Sequence, residues 1–175
     1  MPALARLALR FPTARLADWA ARYPAEADDT VLRAAASARR RGYLTRREFL
    51  VLGDWKTPRS RPRRMRNAEG LVREATGLAL SSRNEELKIG VLRILEGVDW
   101  PTASVILHLC DRGTYPILDV RALWSAGVDA PSPPYTFERW LAYTLFTRRL
   151  ARDAGLSMRE VDRALWQFAK ERQSA

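Results

Sequence analysis

Apolar residues recur along the chain at intervals of three and four, the spacing that gathers them on one face of a helix, and no segment alternates over strand length. After Ser82 the run is Leu87, Val91, Leu92 and Leu95; after Thr136 it is, more loosely, Leu141, Leu145 and Leu150; after Ser157 it is Val161, Leu165, Phe168 and Ala169. Each of three sequence pairs reads as a capping box: Thr45 with Glu48, Ser82 with Glu85, and Ser157 with Glu160. Earlier helices are expected near 13–22, 29–40 and 46–55, with another near 68–80 opened by Asn67. The pattern predicts an all-α chain, a compact bundle of eight or nine short helices forming one domain over 1–175.

Two stretches break the periodicity. Residues 57–66, TPRSRPRRMR, hold five arginines and two prolines, a composition expected to give an exposed basic loop without regular helix. That loop would separate an N-terminal helical layer, 1–56, from a second layer, 67–175. Residues 129–135, DAPSPPY, read as a polar, proline-rich connector.

The second layer contains the segment with the clearest chemical content, LEGVDWPTASVILHLCDRGTYPILD over 95–119. Gly97 suits a helix end that needs positive φ, and Pro101 restarts the chain as a first-turn residue. Thr102, Ala103 and Ser104 keep the next helix slim. Helices over 84–96 and 101–110 joined by a tight turn at 97–100 are therefore expected, the second exposing first-turn N–H groups suited to a phosphate oxygen. Asp119 then stands where it can cap a further helix. Trp100, Tyr115 and Trp124 are candidates to wall a base pocket around it, and Arg121 to hold a phosphate or pair with the aspartate.

This stretch resembles the hairpin of the helix-hairpin-helix DNA glycosylases, with Leu95, Gly97, Val98, Thr102 and Ala103 on the family pattern. Asp119 follows Pro101 by 18 residues, the separation of the family's lysine and aspartate positions. The resemblance implies a helix-hairpin-helix fold, phosphate contacts at Gly97 and Thr102, and a catalytic role for Asp119 in stabilising the sugar cation or directing water as a flipped base leaves. Pro101 stands at the family's lysine position, so the resemblance implies a monofunctional enzyme with no lyase step. Asp99 replaces the second hairpin glycine and brings a carboxylate to where the family admits a phosphate.

Composition narrows the field. The chain has 175 residues, a net charge of +10 and a pI near 10.7, favouring a polyanionic partner, and the resemblance implies that this partner is DNA before RNA. Arg59, Arg61, Arg63, Arg64 and Arg66 are the candidate nucleic-acid contacts outside the hairpin, with Arg39, Arg40, Arg41, Arg46 and Arg47 adding charge to the same half. Trp55 and Lys56 form a possible stacking ring and cation, or equally a helix-end core plug and a solvated charge. Cys110 is the single cysteine and His108 the single histidine, which argues against a disulfide, an iron–sulfur cluster or a zinc site, and no metal or redox cofactor is expected. No apolar run reaches bilayer length, so the expectation is a cytoplasmic protein with no membrane partner. The alternatives to a base-excising enzyme are a catalytically silent DNA- or RNA-binding module, and a helical domain whose arginines meet an acidic protein.

Overall fold

The computed structural model describes residues 7–24, 28–111, 114–129 and 134–173. Among them the regular elements are all helical: α1 (Leu16–Ala21), α2 (Asp29–Arg41), α3 (Arg46–Lys56), α4 (Arg61–Arg64), α5 (Glu69–Ser81), α6 (Glu85–Leu92), α7 (Trp100–Cys110), α8 (Val120–Ser125), α9 (Phe137–Ala154) and α10 (Met158–Arg172). Short 3-10 turns occur at Thr13–Arg15 and Pro58–Ser60. No helix among these residues is long and apolar enough to cross a membrane. The proline-rich connector falls mostly at 130–133, outside the described residues.

The chain groups into two compact units, a continuous one over 25–114 and a two-segment one built from 1–24 and 115–175. The basic segment 57–66 lies inside the continuous unit. In the continuous unit α7 is the core helix, buried at every position from Thr102 to Cys110, and α2, α3, α5 and α6 pack on it. Ala103 and Ser104, both fully buried, let neighbouring backbones come close.

The two-segment unit is organised on α10, which packs against α1, α8 and α9. Its apolar face brings Phe168 against Phe11 and Trp19, with ring centroids 4.5 and 5.2 Å away. The Ser125 hydroxyl at the end of α8 donates to the Leu165 carbonyl at 2.6 Å. The N-terminal segment runs past the same end, Ala8 N–H donating to the Ala126 carbonyl and Arg10 N–H to that of Ser125, both at 3.0 Å.

Three local expectations are corrected. Two of the capping boxes form, at Thr45 and Ser157. Ser82 forms none, because α5 runs on to Ser81 and Ser82 serves as its C-cap; Asn84 caps α6 instead, accepting the Leu87 N–H at 2.8 Å. Asn67 does not cap α5, whose N-cap is Ala68; its side chain crosses to the backbone of Glu96, accepting from N–H and donating to C=O, each at 2.9 Å. The basic segment is largely helical, with a 3-10 turn leading into α4, where Pro62 sits at a first-turn position that needs no N–H.

Candidate nucleic-acid interface

The turn after α6 begins earlier than the periodicity suggests. Helix α6 closes at Leu92, and residues 93–98 descend through i to i+3 backbone bonds before Asp99 caps α7. Gly97 has φ +73°, and a Cβ there would lie 2.9 Å from both Cγ and N of Arg64, so the position needs glycine for backbone and space alike. Asp99 accepts the Trp100 N–H at 2.8 Å and pairs with Arg93 at 3.3 Å, and the Arg93 guanidinium lies 4.2 Å from the centre of the Trp100 ring. The N-terminus of α7 thus carries its own anion, the Asp99 carboxylate, where a phosphate would have to approach. The Thr102 hydroxyl points inward, 3.0 Å from that of Thr57, so its side chain is not placed for solvent contact. Trp100 is buried and is also removed as an open stacking surface.

The five arginines of 59–66 separate into distinct roles. Arg64 is 0% exposed, contrary to a solvated loop, and donates to Asp54 at 2.8 Å, to the Thr57 carbonyl at 2.9 Å and to the Thr57 hydroxyl at 3.2 Å. Gly53 and Gly97 leave room for it; a Cβ on Gly53 would fall 2.3 Å from its Nε. Burial, and then the charge of Arg61, lower its pKa from the usual arginine value. Arg61 joins Asp54 in the same ion pair, and Arg66 pairs with Glu96 at 3.4 Å. Arg59 and Arg63 are exposed and, among the described residues, make no side-chain hydrogen bond or ion pair. Arg47 on α3 is in the same condition.

In the two-segment unit Asp119 is the N-cap of α8, its carboxylate accepting the Arg121 N–H at 2.9 Å with the side chain part-exposed. The guanidinium of Arg121 lies instead over the Trp166 ring, 5.1 Å from its centre. Tyr115 is 4% exposed and stacks on Trp140 with centroids 5.9 Å apart and planes 10° from parallel. Trp124 stacks on Phe168 at 5.7 Å and has the Arg10 guanidinium 4.7 Å over its ring. Both rings are thus already packed, and Trp100 belongs to the other unit.

The sequence reading missed a buried group beside this segment. Tyr143 on α9 is 1% exposed, and burial, followed by the charges of Asp162, Asp119 and Tyr135, pushes its pKa well above the ordinary tyrosine value. Asp162 on α10 accepts the Ile117 N–H at 3.3 Å and Arg159 at 2.7 Å, which fixes the chain leading to Asp119. A second missed pair is Lys88 with Asp111, joining α6 to the end of α7 with both side chains buried. Trp55 and Lys56 are part-buried at the end of α3. No signal in the linear pattern links positions 23 or 45 residues apart.

Comparison with known families finds no matching family model, and neither the curated proteins nor the solved structures compared with the chain give a significant match.

Proposed function

We propose that this is a nucleic-acid-binding helical protein that engages the phosphate backbone through the arginines of its continuous unit. The observation supporting this reading is that Arg47, Arg59 and Arg63 are exposed and have no acidic partner among the described residues, whereas Arg61 and Arg64 share Asp54 and Arg66 pairs with Glu96. Unpaired guanidinium groups release counterions from a polyanion at little cost in broken ion pairs. DNA is the partner implied by the resemblance at 95–119. The test is binding to duplex and single-stranded oligonucleotides across a salt series. The Arg59→Glu, Arg63→Glu double variant should weaken binding alike on all sequences and flatten the duplex slope by about 2, near 0.9 per phosphate. Wild-type affinity and slope in that variant would remove these residues from the interface.

A second reading, monofunctional base excision, is favoured by Asp119, whose carboxylate accepts the Arg121 N–H yet stays partly accessible. In it the carboxylate steadies the sugar cation while water attacks and the base departs. Pro101 supplies no amine at the position where the resemblance places the lyase lysine, so in this reading the product is an intact abasic strand. Base release equal in wild type and Asp119→Asn, or a borohydride-trapped protein–DNA adduct, would overturn it.

A further inference from the structure

Three consecutive arginines, Arg39, Arg40 and Arg41, close α2, and a helix that turns once every 3.6 residues points them in different directions. They nevertheless line one pocket of about 360 Å³, together with Leu80 and Ser81 from the end of α5 and Cys110 from the end of α7. Helix α2 ends here on Gly42, whose φ of +87° turns the chain away.

The lining contains no carboxylate. Burial pushes the Cys110 thiol up to about 12, so it stays neutral and opposes no anion. The three guanidinium groups are positioned yet far from saturated. Arg39 donates to the Leu109 carbonyl at 2.7 Å, Arg40 to the Ser37 hydroxyl at 3.2 Å, and Arg41 to the Tyr43 carbonyl at 3.0 Å and to Glu48, in every case through Nη2 alone. A guanidinium carries five N–H donors, so each of the three keeps further N–H groups for a phosphate beyond these bonds. A helix C-terminus disfavours anions by roughly half an elementary charge, and Glu48 offsets Arg41, but the charges of Arg39 and Arg40 still outweigh the helix end. The neighbouring pocket beside Arg46, Arg47 and Arg61 is a weaker candidate, because Glu69 lines it and already accepts the Arg46 N–H at 2.9 Å.

We propose that the pocket at the end of α2 seats a phosphate group of a bound nucleic-acid strand, gripped by Arg39, Arg40 and Arg41. The inference rests on the nucleic-acid-binding reading and extends it to a defined subsite. A phosphate can come from within a strand, from a strand's 5′ end or from a free nucleotide, and the experiment separates these sources.

Arg40 is the position to change, because its one bond is a long contact to Ser37 within its own helix. Binding of oligonucleotides with and without a 5′-phosphate is measured by anisotropy over a salt series for wild type, Arg40→Gln and Arg149→Gln, an equal charge change on α9 in the other unit. Arg40→Gln is expected to lose affinity on the order of tenfold at low salt, with a duplex slope flatter by about 0.9, while its thermal midpoint and the Arg149→Gln control stay at wild-type values. Equal losses with and without the 5′-phosphate assign the pocket to an internal phosphate; a loss confined to 5′-phosphorylated strands assigns it to the end. Wild-type affinity and slope in Arg40→Gln, alongside weakened binding by Arg59→Glu, Arg63→Glu, overturn the pocket and leave the general reading standing. Amide shifts at Gly42 and Leu80 on adding inorganic phosphate or a nucleoside monophosphate, with no oligonucleotide bound by wild type, overturn both and assign the pocket to a free ligand.

Discussion

Arg64 lies fully buried between two glycines, and what surrounds it fixes how the end of α3, α4 and the turn before α7 meet. Its environment permits no extra atom: a methyl at Gly53 would overlap the guanidinium. Gly53→Ala should therefore cost about 1–3 kcal/mol in urea unfolding. Most of that loss should vanish in an Arg64→Ala background, and an additive double variant would show that the two do not compete for the same space. This burial was not readable from TPRSRPRRMR, where five arginines have equal standing; the residues that single one out, Asp54 and Gly97, lie 10 and 33 positions away. Cys110 gives a second prediction. Its thiol is held near 12 by burial, whereas an unfolded thiol ionises near 8.5. The folded state therefore binds the proton more tightly, and stability is full below about pH 8.5 and falls as pH rises towards 12, by up to about 1.4 kcal/mol per unit. Tyr143 adds a loss of the same sign at higher pH. Comparing the alkaline stability slopes of wild type and Cys110→Ala isolates the thiol; identical slopes would show that it does not titrate with unfolding.

Helix starts were the most readable elements, because a cap and its acceptor sit within one turn of each other. Thr45 and Ser157 lie in complete boxes, with Glu48 and Glu160 returning to the cap N–H at 2.9 and 2.8 Å. Hydrogen bonds from Ser157, through its hydroxyl and then its backbone, lower the pKa of Glu160. Thr45→Ala and Ser157→Ala should each cost about 1 kcal/mol. The Ser82 motif was indistinguishable in sequence, but α5 extends to its edge and the cap passes to Asn84. Asn84→Ala should therefore cost about 1 kcal/mol, and Ser82→Ala, which loses only a contact to the Asn84 N–H, a few tenths. The reverse order in thermal unfolding would contradict the observed cap. Helix ends were harder to read. The apolar spacing of Val91, Leu92 and Leu95 persists through a 3-10 descent as it would through an α-helix, so periodicity ran α6 past its true end at Leu92. At the candidate site, Asp119 as a cap was legible from neighbouring residues, whereas the occupancy of Tyr115 by Trp140 and of Trp124 by Phe168 depends on α9 and α10, which follow later in the chain.

The net charge of +10 conceals a polarised distribution. Residues 39–66 hold eleven arginines and lysines against two acids, while the rest of 25–114 holds six against ten. The basic character of the continuous unit thus belongs to one contiguous stretch of chain, covering the end of α2, all of α3 and α4, and both arginine-lined pockets. Such a stretch attracts a polyanion through a local field, whereas evenly spread charge attracts it only through the total. The two cases separate kinetically. Replacing Arg47 and Arg59 by Glu and, in a second protein, Arg149 and Arg172 by Glu lowers the net charge equally. In stopped-flow association with a short duplex, the first change should slow the on-rate on the order of tenfold at low ionic strength, with the gap closing as salt screens the charges over about 10 Å at 0.1 M. The second should leave the on-rate within about twofold of wild type. Equal slowing by both pairs would mean that total charge governs encounter, and residues 39–66 would then lose their standing as the face that meets nucleic acid.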